Sequence, residues 1–250
     1  MNAFYRKLAI GIVAALAIAG TFLLDPIPQD PAYHDFTDKR EFLGVPNFWN
    51  VVTNLPFLFA GALGLARLQR LASPALRTHY LVFCIAVALV ALGSAVYHLE
   101  PSNPALVWDR LPITVAFMVL FSAIVADRVS WLAGRALLWP LVTLGIASIA
   151  WWIRTETVGQ GDLRPYAIVQ FLPMLLVPMI LLLWRENDLS TKWLWLGFGA
   201  YAAAKLAEYF DAPILTATGG FSGHSLKHLL AALAAWWIIR SFQRSPASAL

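Results

Sequence analysis

Long apolar runs alternate with short polar segments along the whole chain. Eight runs stand out, at roughly 7–24, 47–66, 79–99, 108–126, 136–153, 165–184, 192–210 and 224–241. Each approaches the roughly twenty residues that a helix, rising about 1.5 Å per residue, needs to cross a hydrocarbon core of about 30 Å. In lipid such runs must be helical, because a strand with open edges would leave its amides unpaired. The pattern predicts an all-α fold, a polytopic transmembrane helix bundle. Its organisation is an N-terminal anchor or signal peptide over 1–24, a non-cytoplasmic loop over 25–46, a seven-helix membrane domain over 47–241 and a cytoplasmic tail over 242–250.

The first run reads two ways. "MNAFYRKLAIGIVAALAIAG" has the basic start, apolar stretch and small residues of a cleaved signal peptide. The apolar run continues through "TFLL" to Leu24, which favours an uncleaved anchor. Either reading leaves the following segment outside.

Composition agrees with the pattern. The chain is 60% hydrophobic and 13% charged, against about 25% charged in a soluble domain. The net charge of +4 does not point to a nucleic-acid partner, since Lys and Arg collect in cytoplasmic loops of membrane proteins. With the amino terminus inside and every run crossing, the inside segments hold eleven of the eighteen Lys and Arg. These are Arg6, Lys7, Arg67, Arg70, Arg77, Arg128, Arg135, Arg185, Lys192, Arg240 and Arg244. The outside segments hold Lys39, Arg40, Arg110, Arg154 and Arg164. This bias places both termini inside. The single cysteine, Cys84, excludes an intrachain disulfide and a thiolate metal site, so any transition-metal site must use histidine and carboxylate.

A charge at mid-bilayer costs about 2.5–3.5 kcal/mol on insertion scales, so polar residues in these runs carry information. Ser94 and His98 are four apart and share a helical face. Asp109 follows after a loop containing Pro101 and Pro104, and Pro112 is expected near the start of the next helix, where its missing N–H is harmless. His224 and His228 stack one turn apart at the start of the last run, after "TGGFSGHS", whose glycines let the helix begin where a site needs it. The topology thus collects Ser94, His98, Asp109, His224 and His228 at one end of the bundle. Three histidines with one open position match a catalytic zinc site. Asp109 is then the candidate general base for the water, and Ser94 a candidate donor to a developing oxyanion.

Blander readings stand beside these. Ser94 can back-bond to a carbonyl of its own helix, and Asp109 with Arg110 can be an interfacial charge pair. A Ser94–His98 nucleophile pair lacks a Gly-x-Ser-x-Gly elbow, and a bis-histidine haem site is a further use of such a pair. His34 and His79 read as interfacial histidines. Lys205 and Glu208, three apart, can pair on one face. Asp162 and Arg164 read as a loop salt bridge near Gln170. Lys227 either holds a substrate headgroup or snorkels outward.

Ser94, His98, Asp109, His224 and His228 carry a family resemblance. Ser-x-x-x-His, an Asp eleven residues on and a late His-x-x-x-His resemble the signature of the alkaline ceramidases, within the seven-helix membrane hydrolases that include adiponectin-type receptors. "NFWNVVTNLPFLFAGALGL" is similar to the opening of that family's core, with Thr53 in place of a serine before Asn54. The resemblance covers about 35–240. It implies zinc held by His98, His224 and His228, and hydrolysis of the amide of a ceramide-like membrane lipid, with Asp109 assisting the water and Ser94 steadying the carbonyl oxygen. Eukaryotic members have an acidic calcium-binding segment before the core. Here "DFTDKREFLGVPNFWN" offers Asp35 and Asp38 as candidate calcium ligands, opposed by Lys39 and Arg40, with Asn47 where the family has glutamate. The pattern resembles bacterial members more than eukaryotic ones, which implies a bacterial inner membrane; the charge bias puts the site on its non-cytoplasmic side. The competing reading is a non-enzymatic lipid receptor or binding protein with a structural zinc.

Overall fold

All eight apolar runs are helical in the computed structural model, which describes residues 2–243. The elements are α1 (Ala3–Leu23), α2 (Phe48–Val52), α3 (Leu55–Ala66), α4 (Arg77–Leu99), α5 (Asn103–Ile124), α6 (Trp131–Thr157), α7 (Arg164–Leu183), α8 (Thr191–Tyr209), α9 (Asp211–Thr218) and α10 (Gly223–Ser241). The second run is split into α2 and α3 at Thr53 and Asn54, and α9 is a short helix that apolar patterning did not predict. The described residues form no strand, only isolated bridges, so the fold is all-α. Residues 244–250 of the expected tail lie outside the described residues.

Among the described residues, six helical stretches are long and apolar enough to cross a membrane, and the protein is a multi-pass membrane protein. The exceptions among the eight runs are α8 and α10, of 19 residues each. Their apolar character is diluted by Lys192, Lys205 and Glu208 in one, and by His224, Lys227, His228 and Arg240 in the other. The helices that fall short as lipid spans are thus those that carry His224, His228, Lys205, Glu208 and Lys227.

The helices fall into two compact units. One comprises the chain up to Asp30 with Thr114–Leu189. In it α7 packs on α1 and α6, and α6 packs on a π-helical turn, Val125–Val129. The expected Asp162–Arg164 salt bridge is present at 2.8 Å. Arg164 also donates to the Leu24 carbonyl at 2.6 Å, tying the end of α1 to the start of α7. Asp127 accepts from the Asp188 and Leu189 amides at 2.9 and 3.2 Å, and its partner Arg128 donates to the Leu189 carbonyl.

The other unit comprises Pro31–Ile113 and the residues from Ser190 on. Here α10 packs on α8 and α3, and α3 and α2 pack on α4. The face of α8 turned inward carries Gly197, Ala200, Ala204 and Ala207, all buried. Apolar side chains gain little by leaving lipid for each other, so membrane helices associate through small residues that allow close approach. That close packing fixes the start of α10, where two of the candidate ligands lie.

Candidate metal centre

Local sequence anchors the first turns of α10. The chain leaves α9 through Gly219 at φ +67°, a left-handed conformation that suits glycine. Gly223 follows under a different constraint. A Cβ there would lie 2.1 Å from the Ala207 carbonyl oxygen, so only glycine lets α10 approach α8 so closely. The Ser222 side chain caps the helix by accepting from the Ser225 amide at 3.0 Å. Asp211 accepts from the His224 amide at 2.7 Å. His224 and His228 therefore project from a doubly capped helix start.

His98 comes from the last turn of α4. Its backbone carbonyl accepts from the side chain of Asn47 at 2.9 Å. Asn47 holds φ +48°, a conformation that Asn tolerates better than most residues. Beside it, α5 begins at Asn103, upstream of the expected start, so Pro112 lies inside the helix and not at its opening. Proline lacks the N–H that would bond to the carbonyl four residues earlier, which is that of Trp108. That oxygen faces Gly93 of α4, where a Cβ would lie only 2.0 Å away. The two helices close together at this point, and the next residue of each, Ser94 and Asp109, are joined by a side-chain hydrogen bond.

The three histidines converge. His98, His224 and His228 are buried, and one nitrogen from each lies within 4.8 Å of the others. The Nε2 atoms of His98 and His228 are 3.2 Å apart. Two nitrogens on one tetrahedral zinc with bonds of about 2.0–2.1 Å would be about 3.3 Å apart, so the donor set fits that ion. Thr53 orients His228. Its hydroxyl donates to the Trp49 carbonyl at 2.6 Å and lies 2.9 Å from His228 Nδ1. A hydroxyl has one proton to give, so here Nδ1–H donates to Thr53, and the His228 Nε2 lone pair faces the cluster. Phe36 covers the other side, with ring centroids 4.6 Å from His98 and 4.9 Å from His224.

The ceramidase family model matches residues 44–195. The chain belongs to the ceramidase family. No curated protein matches it. The matched stretch includes Thr53, Ser94, His98 and Asp109, and ends before α10. The family and the apolar helices together make this ceramidase-family protein a membrane hydrolase of ceramidase type.

The candidate calcium site at Asp35 and Asp38 is not supported. The two candidate ligands are engaged by cations of the chain itself: Asp35 pairs with Lys39, and Asp38 binds Arg40 through both carboxylate oxygens, at 2.8 and 2.7 Å. The Arg40 hydrogen bonds hold the Asp38 carboxyl below its ordinary range. Arg40 reaches on to the Gly220 carbonyl at 2.7 Å. The acidic segment of this ceramidase-family chain is thus a clamp on the turn before α10. Asn50 extends it, donating to the Asp38 carbonyl at 3.1 Å and accepting from Ser225 of α10 at 2.9 Å.

The remaining histidines lie apart from the cluster. His34 bonds Tyr97 and Asn103, both at 2.9 Å. His79 is 2% exposed, a buried residue and not the interfacial one expected. The expected Lys205–Glu208 pair forms, and Lys227 joins it, donating to Glu208 at 2.8 Å and lying 3.2 Å from His224 Nε2. Sequence reasoning missed the positioning parts of Phe36, Asn47, Asn50 and Thr53. The Phe-Trp-Asn and Thr-Asn pairs had signalled the segment, but not its use.

Proposed function

We propose that the protein is a zinc-dependent integral-membrane hydrolase cleaving the amide bond of a ceramide-like N-acyl lipid. The observation that carries this reading is the convergence of His98, His224 and His228 within 4.8 Å, beside the hydrogen-bonded Ser94 and Asp109, in a ceramidase-family chain. When bound by these histidines, zinc supplies a Lewis acid for the carbonyl and makes water a nucleophile near pH 7.

The chain's own residues do the rest. Asp109 takes the proton of the attacking water and returns it to the amide nitrogen as the C–N bond breaks. The products are a fatty acid and a long-chain amine. Ser94 holds the Asp109 carboxylate in place, then turns its single proton to the carbonyl oxygen as negative charge develops there. Thr53 keeps His228 in the tautomer that presents Nε2. The charge bias puts this chemistry on the non-cytoplasmic side.

Metal analysis and a hydrolysis screen on the purified protein test the reading. One zinc per chain is expected, with fatty-acid release from an N-acyl lipid that chelation abolishes and zinc, but not calcium, restores. Stoichiometric zinc with no release across the lipid panel would replace the enzyme with a zinc-stabilised lipid receptor.

A further inference from the structure

Hydrolysis as proposed leaves Lys227 without a task, although it touches the site. Its ammonium donates to Glu208 Oε1 at 2.8 Å and lies 3.2 Å from His224 Nε2. An ammonium has three protons, so one is left over. Glu208 is shared, since Lys205 binds its other oxygen. Two lysines against one carboxylate leave one positive charge in excess within this group. Lys227 is also held in place, with a side chain only 18% exposed.

A helix-to-helix tie between α8 and α10 would need only one lysine and the glutamate. An ionisable side chain fixed within a membrane protein, with a donor still to offer, is costly and points to a function. We propose that Lys227, braced by Glu208 and Lys205, is an anion anchor that binds a carboxylate or phosphate on an acyl lipid at the three-histidine site. The proposal rests on the reading that a lipid occupies this site. The anion has two sources: an acidic head on an N-acyl substrate, or the carboxylate of the fatty acid released. Either way the anchor makes the site selective for acidic amphiphiles over neutral ones of equal chain length.

Equilibrium binding to chelator-treated protein in phosphatidylcholine nanodiscs tests this without turnover. The probes are N-palmitoyl glycine, palmitate and neutral N-palmitoyl ethanolamine. Wild-type protein is expected to bind at least one of the two acids about tenfold more tightly than the neutral amide, a factor worth about 1.4 kcal/mol. Preference for N-palmitoyl glycine alone assigns the anchor to the substrate head, and preference for palmitate alone assigns it to the product. Lys227→Met should erase the preference and Lys227→Arg should keep it. Equal binding of all three probes by wild-type protein overturns the proposal, whatever the variants do. So does a preference that survives in a folded Lys227→Met protein. A protein that prefers acids yet hydrolyses no N-acyl lipid would keep the anchor and reject the hydrolase.

Discussion

Thr53 Oγ1 and His228 Nδ1 lie 2.9 Å apart, and the direction of that hydrogen bond is set elsewhere, by the 2.6 Å bond from the same hydroxyl to the Trp49 carbonyl. The threonine can only accept, so the histidine presents its other nitrogen to the cluster. Removing the hydroxyl removes that control. Thr53→Val is expected to weaken zinc binding about 10–100-fold, the usual cost of losing a partner behind a metal ligand. Thr53→Ser should bind as wild type. Competition with a chelator of known affinity measures both.

Asp109 and the histidines should separate in their effects. Asp109→Asn is expected to retain zinc and lose about 10²–10⁴-fold in turnover, the range for a general acid–base. His98→Ala, His224→Ala and His228→Ala should each lose both. Parallel metal analysis and lipid hydrolysis distinguish the two patterns. An Asp109→Asn protein as active as wild type would remove Asp109 from the chemistry.

The start of α10 tolerates no side chain at Gly223, where a Cβ would meet the Ala207 carbonyl at 2.1 Å. Gly223→Ala is expected to cost about 1–3 kcal/mol, as overpacking does, and to reduce zinc retention by moving His224. Gly220→Ala is the control, because its Cβ would have no neighbour nearer than 4.0 Å. Thermal unfolding of the two variants in one detergent makes the comparison.

In the other unit, hydrogen bonds from Arg164 hold the Asp162 carboxyl down to about 2, from an ordinary 3.8. A depressed folded-state pKa stabilises the fold above the unfolded value and stops doing so as pH falls through the folded one. Wild-type protein should therefore exceed Asp162→Asn in stability by a constant margin above about pH 4, and the margin should close between pH 4 and 2. A margin independent of pH would mean that the carboxylate charge is not what stabilises the turn before α7.

The sequence made the helices and three of the site's elements readable because those signals are local. Twenty-residue apolar runs announce spans, and four-residue spacings place Ser94 with His98, and His224 with His228. Depth in the bilayer then brought distant pairs to one end. What stayed hidden depends on partners far along the chain. Thr53 and His228 are separated by 175 positions, as are Asn50 and Ser225. Pro112 lies deeper than expected because Pro104 reads as loop, whereas the helix extends back to Asn103 and holds Pro104 in its first turn, where a missing N–H is harmless. Asp38 suggested calcium because a carboxylate count cannot show that Arg40, two residues on, already fills both of its oxygens.

His98 and His228 are 130 positions apart, and the second belongs to the last of the described helices. Chains are made from the amino terminus onward. Until α10 is made the nascent protein therefore holds at most one histidine of the three, with Thr53 waiting for a ring partner that does not yet exist. On the proposed reading, metal loading must follow the emergence of α10. A chain stalled or clipped before that helix would keep its earlier apolar segments and yet lack two of the three proposed ligands, so a zinc centre built this way would also record whether synthesis had passed α10.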